Sequence, residues 1–331
     1  MARVSTLLSL FMGSFATAHK GVDCCAKESI VASCFGYSPT ADNSAALTAA
    51  IQSCGNASFT IDFVPGSSGV WPTLPLFLNA SNQVVTLAEN VTLQALRGAY
   101  HRGGDCLVSM TYVVNVSLVG AGAGAYLEMW QADYNNTDAY NHSEWRHGVR
   151  IGHADGVSLS GVTISYTGGD GVDIGDSAQN VVVKNVHTVH AYRNGMSVTG
   201  VTNLTVVDSS FVATAGTCCE GGLDIEPGTP KQSIQGVYFK NVTFAENNMA
   251  QVTLSLYAQE GLVDDVTFED VEIFGHHGGK QLPGLWIVSL STAMQGRLAF
   301  TNVRIHDLGS PGLIVERNGS SGAALVFTNV T

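Results

Sequence analysis

Three successive segments of this chain share one grammar. Gly171-Val172-Asp173-Ile174, Gly195-Met196-Ser197-Val198 and Gly222-Leu223-Asp224-Ile225 each open a segment, at spacings of 24 and 27 residues. A turn and a second apolar run follow, as in Asn180-Val181-Val182-Val183 and Asn203-Leu204-Thr205-Val206. A unit this short cannot bury its own apolar face, so it must stack on its neighbours. The grammar extends in both directions, with openings at Gly148, Gly171, Gly195, Gly222, Gln251, Gly284 and Gly312. Within each second strand, two residues five apart flank alternating apolar positions: Gly156/Gly161, Asn180/Asn185, Asn203/Asp208, Gly236/Asn241, Asp265/Asp270, Arg297/Asn302 and Ala324/Asn329. Stacked, the second members form a column of Asn, Asp and Gly at a turn. These residues tolerate left-handed backbone and bond locally to it. A corner of a parallel β-helix requires such a ladder. The predicted class is all-β, a parallel β-helix solenoid.

Composition bounds what such a stack can do. The 331 residues are 45% hydrophobic and 13% charged, enough for a sizeable core and too apolar for disorder. A net charge of -12 argues against a nucleic-acid partner, which needs a basic face. It weighs only mildly against an anionic polysaccharide, because a local groove can oppose the global sign.

The first residues read as a secretory signal. Arg3 supplies a positive charge, Leu7 to Phe15 a short apolar run, and Ala16-Thr17-Ala18 a cleavage pattern. Residues 1–18 are therefore an expected signal peptide, and the protein is expected outside the cell. No segment is long and apolar enough to span a bilayer. Seven cysteines suit an oxidising compartment, and the odd count leaves at least one unpaired within the chain. Without a Cys-x-x-Cys pair or suitably spaced His, a metal cluster is the weaker reading. Ten Asn-x-Ser/Thr sites suit a glycoprotein, although a turn Asn before Val-Thr is also what the repeat needs.

Before the rungs, Asp42 is placed as the N-cap of a short helix whose Ala46, Leu47, Ala50 and Ile51 share one face. Phe59 to Val64 alternates like a strand and ends at Pro65-Gly66. The helix would cap the open end of the stack. Residues 19–83 are thus an expected N-terminal cap segment and 84–331 the β-helix. The chain stops at Thr331 partway through a rung, so a fragment or a partner-covered end is expected there. Residues 126–147 break the period with Tyr126, Trp130, Tyr134, Tyr140 and Trp145. Such an insertion is either a set of sugar platforms or a cover for the stack. A second departure, the 34-residue rung at 250–283, is expected to carry a loop off one corner around Phe274–Lys280, with His276-His277 on its surface.

Asp42–Ile51 followed by Phe63-Val64-Pro65-Gly66 resembles the entry of the pectate-lyase-like superfamily of polygalacturonases, pectin and pectate lyases and their relatives. There, a capping helix and a Pro-Gly strand lead into a right-handed parallel β-helix. Asn115-Val116-Ser117-Leu118-Val119-Gly120 and Gly169-Asp170-Gly171-Val172-Asp173-Ile174 also resemble polygalacturonase segments. The next rung reads Arg193-Asn194 where polygalacturonases carry Asp-Asp, and their Gly-His-Gly and Arg-x-Lys motifs are absent from the corresponding rungs. Tyr192–Val198 and Gly222–Pro227 are closer to loosely defined β-helix repeat proteins that resemble carbohydrate-active enzymes.

The third residue of each opening faces outward: Arg150, Asp173, Ser197, Asp224, Thr253, Trp286 and Ile314. Two residues on come Gly152, Gly175, Thr199, Glu226, Ser255, Val288 and Glu316. Rungs stack at about 4.8 Å and alternate strand residues lie about 7 Å apart. Asp173 and Asp224 are then about 9–10 Å apart and Asp224 and Glu226 about 7 Å. Inverting glycosidases use about 6.5–9.5 Å, room for a water between acid and base. The chemistry expected is inverting glycoside hydrolysis, with Asp224 as acid and Asp173 or Glu226 as base. Arg150, Arg193 and His153 are expected to hold the sugar, and its carboxylate if it is a uronate, with Asp170, His190, Tyr192 and Trp286 around it. Four other readings stand beside this one. The carboxylates form a solvated face; Asp173, Asp224 and Glu226 bind Ca²⁺; His190, Tyr192 or Arg193 abstracts a proton in a lyase or epimerase; or the groove binds glycans without catalysis.

Overall fold

A computed structural model describes residues 23–217, 219–229, 232–256, 263–275, 282–291, 296–318 and 323–331. The expected signal peptide, Cys218 and His276-His277 lie outside these residues.

Every predicted opening begins a rung. Val149, Val172, Met196, Leu223, Val252, Leu285 and Leu313 stand in one parallel register. They belong to a nine-stranded sheet that starts at Leu76–Phe77 and ends at Leu313–Asn318. A fifteen-stranded sheet forms the other walls. The chain is a right-handed parallel β-helix, the hand that parallel crossovers adopt. Inward residues such as Ile151, Ile174, Val198, Ile225 and Leu254 are buried in one continuous core. The Phe239, Phe268, Phe300 and Phe327 rings stack at 4.8, 5.0 and 5.1 Å. Identical inward residues at identical register produce that file without further design.

The Asn/Asp corner is built as expected. Asn180, Asn185, Asn203, Asp208, Asn241, Asp270, Asn302 and Asn329 all have positive φ. Their side chains bond along the axis: Asn203 Nδ2 donates to Asn180 Oδ1 at 3.0 Å and Asn329 Nδ2 to Asn302 Oδ1 at 2.9 Å. The ladder therefore satisfies both the turn geometry and the exposed amides.

The N-terminal helix spans Ser44–Gln52 and buries Leu47, Ala50 and Ile51. The N-cap is Asn43 rather than the expected Asp42; Asp42 lies one residue before it, and its Oδ1 accepts the Ser44 N–H at 2.8 Å. Disulfides Cys24–Cys34 and Cys25–Cys54 tie the preceding segment down. The rungs begin earlier than residue 84: Phe59–Ile61 already pairs with Val84–Leu87 and Val70–Thr73 with Thr92–Ala95.

The 126–147 stretch divides in two. Tyr126–Glu128 continues the stack between Thr92–Ala95 and Thr163–Ser165. The rest folds over the groove sheet around Arg146, which is completely buried. Its guanidinium lies over the Tyr134 and Tyr140 rings, and Nε donates to the Tyr100 carbonyl. Those two tyrosines are therefore cover rather than sugar platforms, because a sugar cannot reach them. Of the five, Trp145 and Tyr126 are exposed, Trp145 more so at 60%.

Candidate functional site

The outward face of the nine-stranded sheet is a groove, and the strand register sets its floor. Asp173 pairs with Ser197 and Ser197 with Asp224, so the two aspartates are two rungs apart. The insertion forms one wall. Trp145–Arg146 pairs antiparallel with Gly168–Gly169, which carries Trp145 and His147 to the groove edge. Gly169 is required for that approach: a Cβ there would meet the Glu144 carbonyl at 2.6 Å.

Arg193 is the pivot. Its Nη1 lies 3.2 Å from Asp170 Oδ2, its Nη2 3.4 Å from Glu226 Oε2 and its Nε 3.7 Å from Glu144 Oε2. Burial alone would lower its pKa, but the surrounding carboxylates, Asp170 first, raise it above the ordinary value. Asp170 is fully buried and cannot touch substrate. Its Oδ1 accepts the Asn194 N–H at 3.0 Å, and its own N–H donates to His147 Nδ1 at 3.0 Å. The other ring nitrogen of His147, Nε2, lies 3.8 Å from Asp173 Oδ2.

Asp224 is 4% exposed, beside Glu226 in a pocket of about 200 Å³. Burial drives its carboxyl up and Glu226 adds to this, while Arg193 and the Ser255 hydroxyl pull back, leaving it at about 7. Ser255 Oγ donates to Asp224 Oδ1 at 3.3 Å. Burial also raises Asp173; His147 and Arg150 partly offset it, and Asp170 and Asp176 add to it. Two buried carboxyls raised above the ordinary range, Asp224 and Asp173, thus share one groove with Glu226.

The other expected site residues separate clearly. Arg150 lies in the groove, 2.7 Å from Asp176 Oδ2 and 3.8 Å from Asp173 Oδ2. Trp286 lies on the Asp224 side, its Nε1 donating to Glu316 at 3.0 Å. His153 turns away onto Tyr112, with ring centroids 4.6 Å apart. His190 stacks on Tyr166 at a different corner. Tyr192 is buried, with its carbonyl accepting the Thr217 N–H. Placing these three around the sugar fails because each lies beyond its strand end, where the chain leaves the sheet. Sequence reasoning placed Trp145 among possible sugar platforms but missed His147 and Glu144, which come from the same non-repeating insertion. It also missed Ser109 and Phe77, which extend the outward column by two rungs; Phe77 is 57% exposed.

Calcium does not fit these residues. Asp173 and Asp224 do not converge, and the Arg193 guanidinium stands against Glu226. Among the described residues, one trio has ligand atoms within 4.8 Å of one another: His147, Asp170 and Asp173. There Nδ1 is taken by an N–H and Asp170 by Arg193, too few free oxygens for a cation that takes six to eight.

No protein-family model matches the chain, and no curated protein matches it. Solved structures do. The family 28 exopolygalacturonase of Yersinia enterocolitica is 12% identical over 92% of this chain and 78% of its own, with a TM-score of 0.54. The ORF18 protein of Geobacillus virus E2 is 12% identical over 92% of this chain and 60% of its own, TM-score 0.52. A tailspike, gp49 of Acinetobacter baumannii bacteriophage Fri1, a capsular polysaccharide depolymerase, is 14% identical over 92% and 64%, TM-score 0.51. At such identities the likeness is one of fold: this is a parallel β-helix protein with the pectin-lyase fold. It spans less than two thirds of the length of the viral protein and of the tailspike.

Proposed function

We propose that this protein hydrolyses glycosidic bonds of a polysaccharide outside the cell, by an inverting two-carboxylate mechanism. The observation that carries the reading is Asp224, a buried carboxyl pushed up to about 7 on the floor of an open groove. A carboxyl still protonated near neutral pH can donate to a leaving glycosidic oxygen. Glu226, two residues on and just past the end of the Leu223–Ile225 strand, at about 7 Å by extended-chain spacing, is the base that activates water, within the range inverting enzymes use. Asp173, two rungs away, is the second candidate for that role. Arg193 orients Glu226 and does not act as base, because a guanidinium among three carboxylates stays protonated.

Two of the structural neighbours, an exopolygalacturonase and a capsular polysaccharide depolymerase, are named for polysaccharide chemistry. The two disulfides suit an extracellular setting. A lyase or epimerase would draw on His190, Tyr192 or Arg193, of which His190 stacks on Tyr166, Tyr192 is buried and Arg193 is engaged by Asp170, Glu226 and Glu144.

The test is product mass after incubation with neutral and acidic polysaccharides, beside Asp224→Asn. Water-added oligosaccharides that disappear in the variant support the reading. Unsaturated products, or turnover that survives the substitution, sink it. With no product from any polysaccharide, a non-catalytic glycan-binding role takes its place.

A further inference from the structure

Of the chain's four tryptophans, three have the indole N–H paired within the chain. Trp71 is completely buried and its Nε1 donates to the Asp62 carbonyl at 3.0 Å. Trp130 Nε1 donates to the Ala95 carbonyl at 2.7 Å, with the Arg97 guanidinium over its ring at 4.7 Å. Trp286 Nε1 donates to Glu316 Oε1 at 3.0 Å. Trp145 differs: it is 60% exposed, and among the described residues its indole has no hydrogen-bond, ring or guanidinium partner. Its backbone is nevertheless firmly held. Trp145 pairs with Gly169, its N–H donates to Ser143 Oγ at 3.1 Å, and its carbonyl accepts the Cys106 thiol at 3.6 Å. The neighbouring Arg146 anchors the same segment from below. An ordered strand that holds a large apolar ring in water forgoes the stabilisation its burial would bring.

The place of the ring supplies a reason. Trp145 lines a cavity of about 280 Å³ together with Arg150, Asp173, Asp176, Thr199 and Glu226. Glu226 also lines the cavity over Asp224, so a glycan that occupies both passes over Glu226. An indole on one side and hydrogen-bonding groups on the others suit a pyranose. Its C–H face meets the electron-rich ring, and its hydroxyls meet the polar side chains. The unpaired Nε1–H is a further donor to a sugar oxygen. The ring face carries no charge, so it takes the C–H face of neutral and acidic sugars alike. Tyr112, the most exposed aromatic among the described residues at 78%, is stacked on His153 and does not line this cavity.

We infer that Trp145 is the platform on which one pyranose ring of the glycan stacks, on the Asp173 side of Asp224 and Glu226. The inference rests on the groove being the polysaccharide site, and not on hydrolysis occurring there. Trp145 is a binding residue: it holds a ring whose continuation crosses Glu226, and it exchanges no proton.

The experiment is acrylamide quenching of tryptophan emission in the intact protein, with and without hexasaccharides of glucose, xylose, N-acetylglucosamine and galacturonate. It is run in wild type and in Asp224→Asn, which keeps the ligand uncut. Trp145→Phe should remove the readily quenched component and so assign it. At least one hexasaccharide should shield that component. The same hexasaccharide should bind Trp145→Ala about tenfold or more weakly and Trp145→Phe within about threefold of wild type, with the unfolding midpoint unchanged in both. Binding that leaves the emission quenchable overturns the inference. So do equal affinities of wild type and Trp145→Ala, a Trp145→Ala midpoint well below wild type, or a panel in which nothing binds. Turnover is a separate readout. Ligands that shield Trp145 and are released uncut defeat hydrolysis and leave this inference standing. Water-added products with KM unchanged in Trp145→Ala do the reverse.

Discussion

On one side of Asp224 the groove is a lattice of ion pairs; on the other it is an apolar wall with hydroxyls. The two halves use the same two outward positions of successive strands, in one parallel register from Val149 through Leu254. Arg150 and Asp173 occupy in one half the column that Thr253 and Trp286 occupy in the other. The backbone is the same, so the difference lies in the side chains and in what covers them. The ionic half is roofed by the insertion around Arg146, which buries Asp170 and His147 and strengthens every charge interaction beneath it. The apolar half is lined by Met249 and Leu282 from the loops beside its own strands. A β-helix thus separates fold from chemistry: inward positions hold the stack, and each rung can carry a different outward group.

Asp224 stands where the halves meet, so its removal should have the largest effect. Asp224→Asn is expected to lower turnover by about 10²–10⁴-fold with the fold intact, measured by product release and circular dichroism. Arg193→Met tests the ionic half. It leaves Asp170 buried without its partner, so a loss of about 3–5 kcal/mol is expected in denaturant unfolding. Arg150→Met, with its partner Asp176 half-exposed, should cost about 1 kcal/mol or less in the same experiment. A reversal of that order would break the contrast between roofed and open charges.

The pH dependence has a definite sign. Asp224 titrates at about 7 when folded, above the ordinary carboxyl range. Between about pH 4 and 7 the native state therefore holds a proton that the unfolded chain has released, so its contribution to stability falls as pH rises through that window. Asp224→Asn should remove this slope, gaining on the order of 2–4 kcal/mol relative to wild type at pH 8 compared with pH 4. Equal slopes in the two proteins would place the carboxyl in a wetter site than its burial indicates. Hydrolysis should likewise fall as pH rises through about 7, because the acid is lost. The smallest effect belongs to Phe77, at the far end of the outward column. Phe77→Ala should leave stability within about 0.5 kcal/mol and weaken only substrates long enough to reach it.

Much of this was legible in the sequence, and the limits have physical causes. The rung openings from Gly148 to Gly312, the Asn/Asp corner and the helix behind Asp42 were readable because each repeats a local rule. The spacing of Asp173, Asp224 and Glu226 followed directly from the register. His147 was not readable, because it reaches the groove through an antiparallel contact between Trp145–Arg146 and Gly168–Gly169 that no period announces. His153 and His190 looked close to the site in sequence and are turned onto Tyr112 and Tyr166 by positive-φ corners. The early rungs were missed because Phe59–Ile61 and Leu76–Phe77 are too short and irregular to show the repeat.

The sequence by itself determined the stack, since every rung must bury its apolar face on the next and the period alone dictates that. It also determined which carboxylates share the outward column. Only the tertiary structure decided their states. Burial of Asp224, the capture of Arg193 by three carboxylates and the roof over His147 depend on segments distant in sequence. Desolvation and charge pairing act through space, and a linear pattern carries no measure of either.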